Sequence, residues 1–279
     1  MKKLIALLCV LFLALSAAAA SAEAIPGLED GVLTVAMECA YAPYNWAQPN
    51  DANGAVPIKD KDGLYANGYD VMMAKAICEA NGWQLEVVQL DWDSLILAII
   101  SGTVDAVIAG QSMTPERMEV VDFAGPYLYA TMVCLTKEDN PNAGAKGISE
   151  LQGTATSQSG TIWYDTCLPQ VKGAVIVPPA ESAPAMLMAV ETGTVDFVCT
   201  DMPTAQGALI AYPDLKLLDF AGSGDDFEVS DADVNIGISI QKGNTALLDA
   251  LNAYLADKTA DDFNALMAEA IKVQPLSEE

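Results

Sequence analysis

One arginine, Arg117, stands against twelve lysines in this chain of 279 residues, and histidine is absent. A chain this averse to arginine marks position 117 as one that needs a guanidinium. That planar fork holds a carboxylate through two parallel hydrogen bonds, which an ammonium cannot do. The plain alternative is a surface arginine in the first turn of a helix, where positive charge is mildly unfavourable. Asp201, in Thr200-Asp201-Met202-Pro203, is a candidate of opposite sign. A carboxylate there either holds a ligand ammonium or caps the helix that Pro203 begins, and one residue could do both. A cationic fork and an anion facing each other across a dry cleft suit a zwitterion. Without histidine, Ser-His-Asp, Cys-His and His-metal chemistry are excluded. The acidic run Asp225-Asp226-Phe227-Glu228 lacks the glycine and spacing of a calcium loop and reads as solvated. No metal and no cofactor is therefore expected.

The elements that must position these groups alternate between strand and helix. Gly31 to Met37 reads as a buried strand, and Gln48 to Asn67 as a long polar hairpin or surface loop. Asp70 opens an amphipathic helix with Met73, Ala76, Ile77 and Ala80 on one face and Gly82 as its stop. Leu85 to Leu90 follows as a second strand, and Asp93 is expected to cap an apolar helix running to Ile100. Next comes Ser101-Gly102-Thr103-Val104-Asp105-Ala106-Val107-Ile108-Ala109-Gly110, a helix end, tight turn and strand. Thr192-Gly193-Thr194-Val195-Asp196-Phe197-Val198-Cys199-Thr200-Asp201 repeats that plan after another apolar helix. A repeated helix–strand unit predicts two α/β lobes, each with a mostly parallel sheet. Ligands bind beyond the carboxyl ends of such strands, which puts Gly110 to Thr114 and Asp201 at the mouth of a shared cleft.

Composition bounds the partners. The formal charge of −25 argues against nucleic acid and anionic membrane surfaces. Lys2 and Lys3, an apolar run from Leu4 to Leu15 and small residues up to Ala24 read as a secretory signal with cleavage after Ala22 or Ala24. The run is too short for a membrane span, and Cys9 precedes the small residues, so no lipobox is expected. The mature chain would be a soluble extracytoplasmic monomer. Its five cysteines, Cys39, Cys78, Cys134, Cys167 and Cys199, allow at most two bridges; no CxxC pair occurs, and buried inert thiols are expected for most.

Beyond these readings, an ordered series of motifs resembles the family 3 extracellular solute-binding proteins, receptors of polar amino acid ABC transporters. The series is Gly68-Tyr69-Asp70, Asp91-Trp92-Asp93-Ser94-Leu95, Ser101 to Asp105, Ile108 to Arg117 and Val121-Asp122-Phe123-Ala124-Gly125-Pro126-Tyr127. The likeness runs from about Leu33 to Asn244. It departs at Met72, where the family usually has an acid, in the longer Gln48 to Asn67 insert and in the weakly matched C-terminal helices. The resemblance implies an α/β type II periplasmic-binding fold with two crossover strands, after Pro126 and near Val234 to Ile240. Lobe 1 would comprise residues 23–129 and 237–279 and lobe 2 residues 130–236, after a signal at 1–22. It implies that Arg117 clamps a ligand α-carboxylate with Thr161, and that the Gly110 carbonyl, Ser112 and Asp201 hold the α-ammonium. Tyr41 and Trp92 would sandwich the ligand side chain, and Glu38 would face nitrogen on it.

The function expected on this basis is capture of a polar or basic amino acid between closing lobes and delivery to a membrane permease. Glu38 favours such a ligand, because a ligand carboxylate beside it would repel; Lys59 or Lys61 could instead neutralise it. Two other classes compete. One is a dehydratase of cyclic carboxylic acids on the same fold, with Glu38, Asp201 or a tyrosine as general acid. The other is the sensing domain of a receptor, for which neither a membrane span nor a kinase region is evident.

Overall fold

A computed structural model describes residues 25–275. The signal-sequence reading falls outside them, as do Cys9 and the last four residues. Two five-stranded sheets organise the chain, in the same pattern. In the first the order is Gln84–Gln89, Val32–Met37, Ala106–Val107, Asn235–Gln241 and Val121–Tyr129. In the second it is Gly173–Ile176, Gln152–Thr156, Phe197–Asp201, Met132–Lys137 and Leu215–Leu218. The first three strands of each are parallel, and the fourth is antiparallel to both its neighbours. That fourth strand is the one that has just crossed over. Met132–Lys137 continues from Val121–Tyr129 of the first sheet, and Asn235–Gln241 returns after Leu215–Leu218 of the second.

The parallel strands are apolar because helices cover them. Leu33, Val35, Ala36 and Met37 are buried in one sheet, and Phe197, Val198 and Cys199 in the other. The helix Tyr69–Asn81 ends on Gly82 in the left-handed conformation, as its glycine stop predicts. The apolar helix Leu95–Ile100 differs from expectation at its start. Ser94, not Asp93, occupies the N-cap without a side-chain bond, because a 3₁₀ turn over Trp92–Ser94 takes up the residues before it. Of the two readings of the insert, the hairpin is the one found. Ala40–Tyr41, Asn45–Gln48, Tyr65–Asn67 and Val56–Pro57 form a small antiparallel sheet, and Ile58 bridges to Val87 at the edge of the first large one.

The repeated Gly-Thr-Val-Asp is the same device in both sheets. Each glycine is left-handed (φ 69° at Gly102, 71° at Gly193) and turns the chain from helix into strand. Each aspartate then accepts the backbone N–H of a threonine on the neighbouring parallel strand: Thr34 to Asp105 at 2.8 Å and Thr154 to Asp196 at 2.7 Å. The two side chains therefore fasten equivalent strand starts.

Candidate functional site

The carboxyl ends of the first sheet's parallel strands bring together residues far apart in sequence. Tyr41 follows Val32–Met37, Trp92 follows Gln84–Gln89, and Gly110 follows Ala106–Val107. Arg117 lies on the short helix Pro115–Val120, whose N-cap Thr114 accepts the Arg117 N–H. From the second sheet, Gln158 and Thr161 follow Gln152–Thr156 and Asp201 ends Phe197–Asp201. Tyr41, Trp92, Gly110, Ser112, Arg117, Thr161 and Asp201 all line one narrow cavity of about 20 Å³, with Gln158 and Trp163 among its other walls. That space takes about one water-sized sphere, so anything larger enters only when the two walls part.

Arg117 spans the cavity. Its guanidinium donates to the carbonyl of Ser112 at 2.8 Å and to that of Gly160 at 3.1 Å, and it lies 5.3 Å from the Trp92 ring centroid. Among the described residues no carboxylate comes within ion-pair distance of it. Desolvation lowers its pKa to about 10, which leaves it cationic at neutral pH. Thr161 turns its hydroxyl to the Gln158 carbonyl at 2.8 Å.

Asp201 caps a helix, as its sequence context allows, and turns its second oxygen to the opposite wall. One oxygen accepts the Thr204 N–H at 2.8 Å and so caps the helix Met202–Ala211. The other accepts hydroxyls from Tyr41 and Tyr44, each at 3.0 Å and each from the far wall. Burial pushes the Asp201 carboxyl above its ordinary range, and the threonine and tyrosine hydrogen bonds oppose that. The Tyr41 ring stacks on Tyr44 (centroids 4.5 Å, 14° between planes), while Trp92 packs under Arg117. Tyr41 and Trp92 both line the cavity, each against its own partner. Tyr44 was missed from sequence. Its signal was its position three residues after Tyr41 across Pro43, which returns both rings to one side.

Behind Gly110 lies a buried polar network. The Gly110 N–H donates to the Tyr127 hydroxyl at 3.0 Å, and that hydroxyl donates to Asp70 at 2.7 Å. The other Asp70 oxygen accepts from Asn45 at 2.7 Å. Burial raises Asp70 to about 7 against these bonds. Gly110 itself has φ 62°, and a Cβ there would sit 2.7 Å from a Tyr41 ring carbon. The position thus needs glycine for both conformation and space.

Glu38 is not in the narrow cavity. It lines a wider pocket of about 560 Å³ that shares Trp92 with it and is also walled by Asp91, Asp93 and Glu181. The residue is 7% exposed, and its carboxylate accepts from the Gln158 amide at 3.4 Å. Desolvation, reinforced by Asp91 and Asp93 and opposed by the Gln158 bond, raises its pKa to about 7. Lys59 does not neutralise it, for it pairs with Glu86 at 2.6 Å. The insert lies along the sheet edge, and its residues line neither space.

Two α/β units with a cleft between the carboxyl ends of their sheets define a two-lobed binding protein of the type II periplasmic class. The chain belongs to the bacterial extracellular solute-binding proteins, family 3, whose model matches residues 33–271. It is similar to the arginine-binding extracellular protein ArtP of Bacillus subtilis, with 37% identity over 107 residues. That match spans 38% of this chain and 41% of the Bacillus protein. A probable histidine-binding protein of Neisseria gonorrhoeae is 27% identical across 84% of this chain and 79% of its own. The crystal structure of an ancestral amino acid-binding protein, a precursor of cyclohexadienyl dehydratase, superposes with a TM-score of 0.69. It is 27% identical and covers 88% of this chain and 97% of that one. Among the described residues no helix is long and apolar enough to cross a membrane.

Proposed function

We propose that this protein is the extracytoplasmic binding component of an ABC importer and that its ligand is a basic or polar α-amino acid. The observation that carries the reading is Arg117: a partly buried guanidinium at a cleft, held by two carbonyls from opposite walls and offered no carboxylate by the described residues. A ligand α-carboxylate supplies the missing anion, and binding it gives Arg117 a partner that opening alone does not. The α-ammonium goes to Asp201, Ser112 and the Gly110 carbonyl, taking the place of the tyrosine hydroxyls on Asp201. The ligand side chain passes Trp92 into the wider pocket, where four acids and no base favour a cation. The arginine and histidine named for the two relatives agree with that charge. Lobes meeting across the ligand then present a closed form to a permease.

Calorimetric titration with arginine, lysine, histidine, glutamine, glutamate and leucine tests this directly. Arginine, lysine or histidine should bind tightest, and glutamate or leucine at least tenfold tighter than all the others would overturn the ligand class. One observation favours a second reading: a carboxyl poised near neutrality, as Glu38 is, is what a general acid requires. Turnover of prephenate or arogenate, followed by absorbance, would establish that dehydratase reading, whereas no turnover with tight amino acid binding leaves the transport role.

A further inference from the structure

The five cysteines of the described residues are all buried as thiols, and two of them face each other. Cys134 and Cys199 lie directly opposite in register on the antiparallel strands Met132–Lys137 and Phe197–Asp201, with their sulfurs 3.4 Å apart. We propose that Cys134 and Cys199 are a modification site: they become a cross-strand disulfide that locks the strand bearing Asp201 to the strand that crosses between the sheets.

The backbone already has the necessary dimensions. Directly opposed residues of an antiparallel pair have Cα atoms about 4.5 or 5.5 Å apart, and both spacings fall in the ~4.4–6.8 Å range of disulfides. Their side chains leave the sheet on one face, so bond formation needs side-chain rotation and little backbone shift. Extracellular proteins, for which the family is named, work where such bonds persist. Once the strands have paired, the sulfurs are out of reach: Cys134 is 0% and Cys199 1% exposed. Burial also lifts the Cys199 thiol well above its ordinary range and suppresses its thiolate. Bridging therefore occurs in the unpaired or locally opened chain, by exchange with a donor disulfide. The Cys134 thiolate attacks one donor sulfur and expels a donor thiol. The Cys199 thiolate then attacks the Cys134 sulfur and expels the second. The pair loses two protons and two electrons, and the donor disulfide becomes two thiols.

The bond would matter to the cleft because of what adjoins it. Asp201, two residues beyond Cys199, pairs in register with Met132, two residues before Cys134, and both line the narrow cavity. A crosslink there fixes the floor on which the proposed ammonium site rests, without touching the ligand. Closing the long intervening chain into a loop also removes freedom from the unfolded state.

The test refolds the full chain in a buffer of reduced and oxidised glutathione and maps non-reduced peptides by mass spectrometry. One linked pair joining Cys134 to Cys199 is expected, lighter than the two free peptides by two hydrogens. Its thermal midpoint should lie on the order of 5–10 °C above that of the reduced protein. Cys167→Ser should keep the bond, and Cys199→Ser should abolish both it and the dependence on oxidant. Thiols that remain fully reduced, or a bond from Cys134 to Cys167 instead, would overturn the proposal, and the wild-type map gives that answer even if the variants fail to fold.

Discussion

Glu38 offers the sharpest quantitative test of the proposed ligand class. It is buried beside Trp92, desolvation is the main reason its carboxyl titrates near 7, and the exposed Asp91 and Asp93 push it the same way. A cationic side chain entering the pocket favours the charged carboxylate, so binding must first displace the proton wherever Glu38 holds one. The sign follows directly: affinity for a basic amino acid rises with pH until about 7 and is flat above it. At pH 5.5 the free protein is protonated at Glu38 in all but about one molecule in thirty, so affinity should fall about thirtyfold from its value at pH 8, or about 2 kcal/mol. Calorimetry of arginine binding at both values, in two buffers of different ionisation heat, measures the affinity and the protons released. Close to one proton should leave at pH 5.5 and almost none at pH 8. Glu38→Gln should lose this slope and bind arginine more weakly at pH 8, while glutamine binding to the wild type should vary little. An equal slope in the Gln variant would assign the proton to another buried acid such as Asp70, and a flat wild type would remove Glu38 from the ligand altogether.

Other outcomes test the rest of the site and its frame. Arg117→Lys keeps the charge and loses the fork, so amino acid affinity should fall at least tenfold, about 1.5–3 kcal/mol, with the fold retained by circular dichroism; affinity within twofold of wild type would refute the clamp. Gly110→Ala should weaken binding and lower stability by about 1–3 kcal/mol, because the left-handed backbone and the Tyr41 ring both resist a Cβ; denaturant unfolding measures it. Asp196→Ala should cost more stability than Asp105→Ala, about 2–3 against 1–2 kcal/mol, since Asp196 also accepts from the Thr154 hydroxyl and from Asn140. The Asp196 carboxyl is held below its usual range chiefly by the Thr154 N–H. Its contribution is therefore present above the ordinary aspartate pKa and lost as pH falls through the depressed one, which an acid unfolding series reads.

Sequence carried the architecture wherever local chemistry sufficed. The Gly-Thr-Val-Asp copies revealed two equivalent sheets because a glycine turn and a strand are short-range events. Arg117 stood out by its rarity, and Asp201 by a helix start that Pro203 made visible. Partnerships across the molecule were less legible. Nothing local told that Tyr44 would share Asp201 with Tyr41, since that depends on how two lobes meet. Glu38 was placed with the other candidates, yet it occupies a separate, wider pocket joined to theirs at Trp92. The opposition of Cys134 and Cys199 is a matter of strand register, which five scattered cysteines do not encode. Asp93 lost the helix cap to Ser94 because a 3₁₀ turn intervened, a difference of one residue that composition alone does not decide.

The place of Asn235–Gln241 has a consequence for the order in which the molecule is built. It lies between Ala106–Val107 and Val121–Tyr129, so the first sheet has a gap in its middle until residue 241 has emerged. Every strand of the second sheet is already available by residue 218. A chain that appears from its N-terminus can thus complete its second sheet while the first is still two fragments held apart. The step expected to be slow is then insertion of one late strand between two early ones, closing contacts of large sequence separation. A truncation that removes this strand should leave Val121–Tyr129 with an unpaired edge and open to association with other chains.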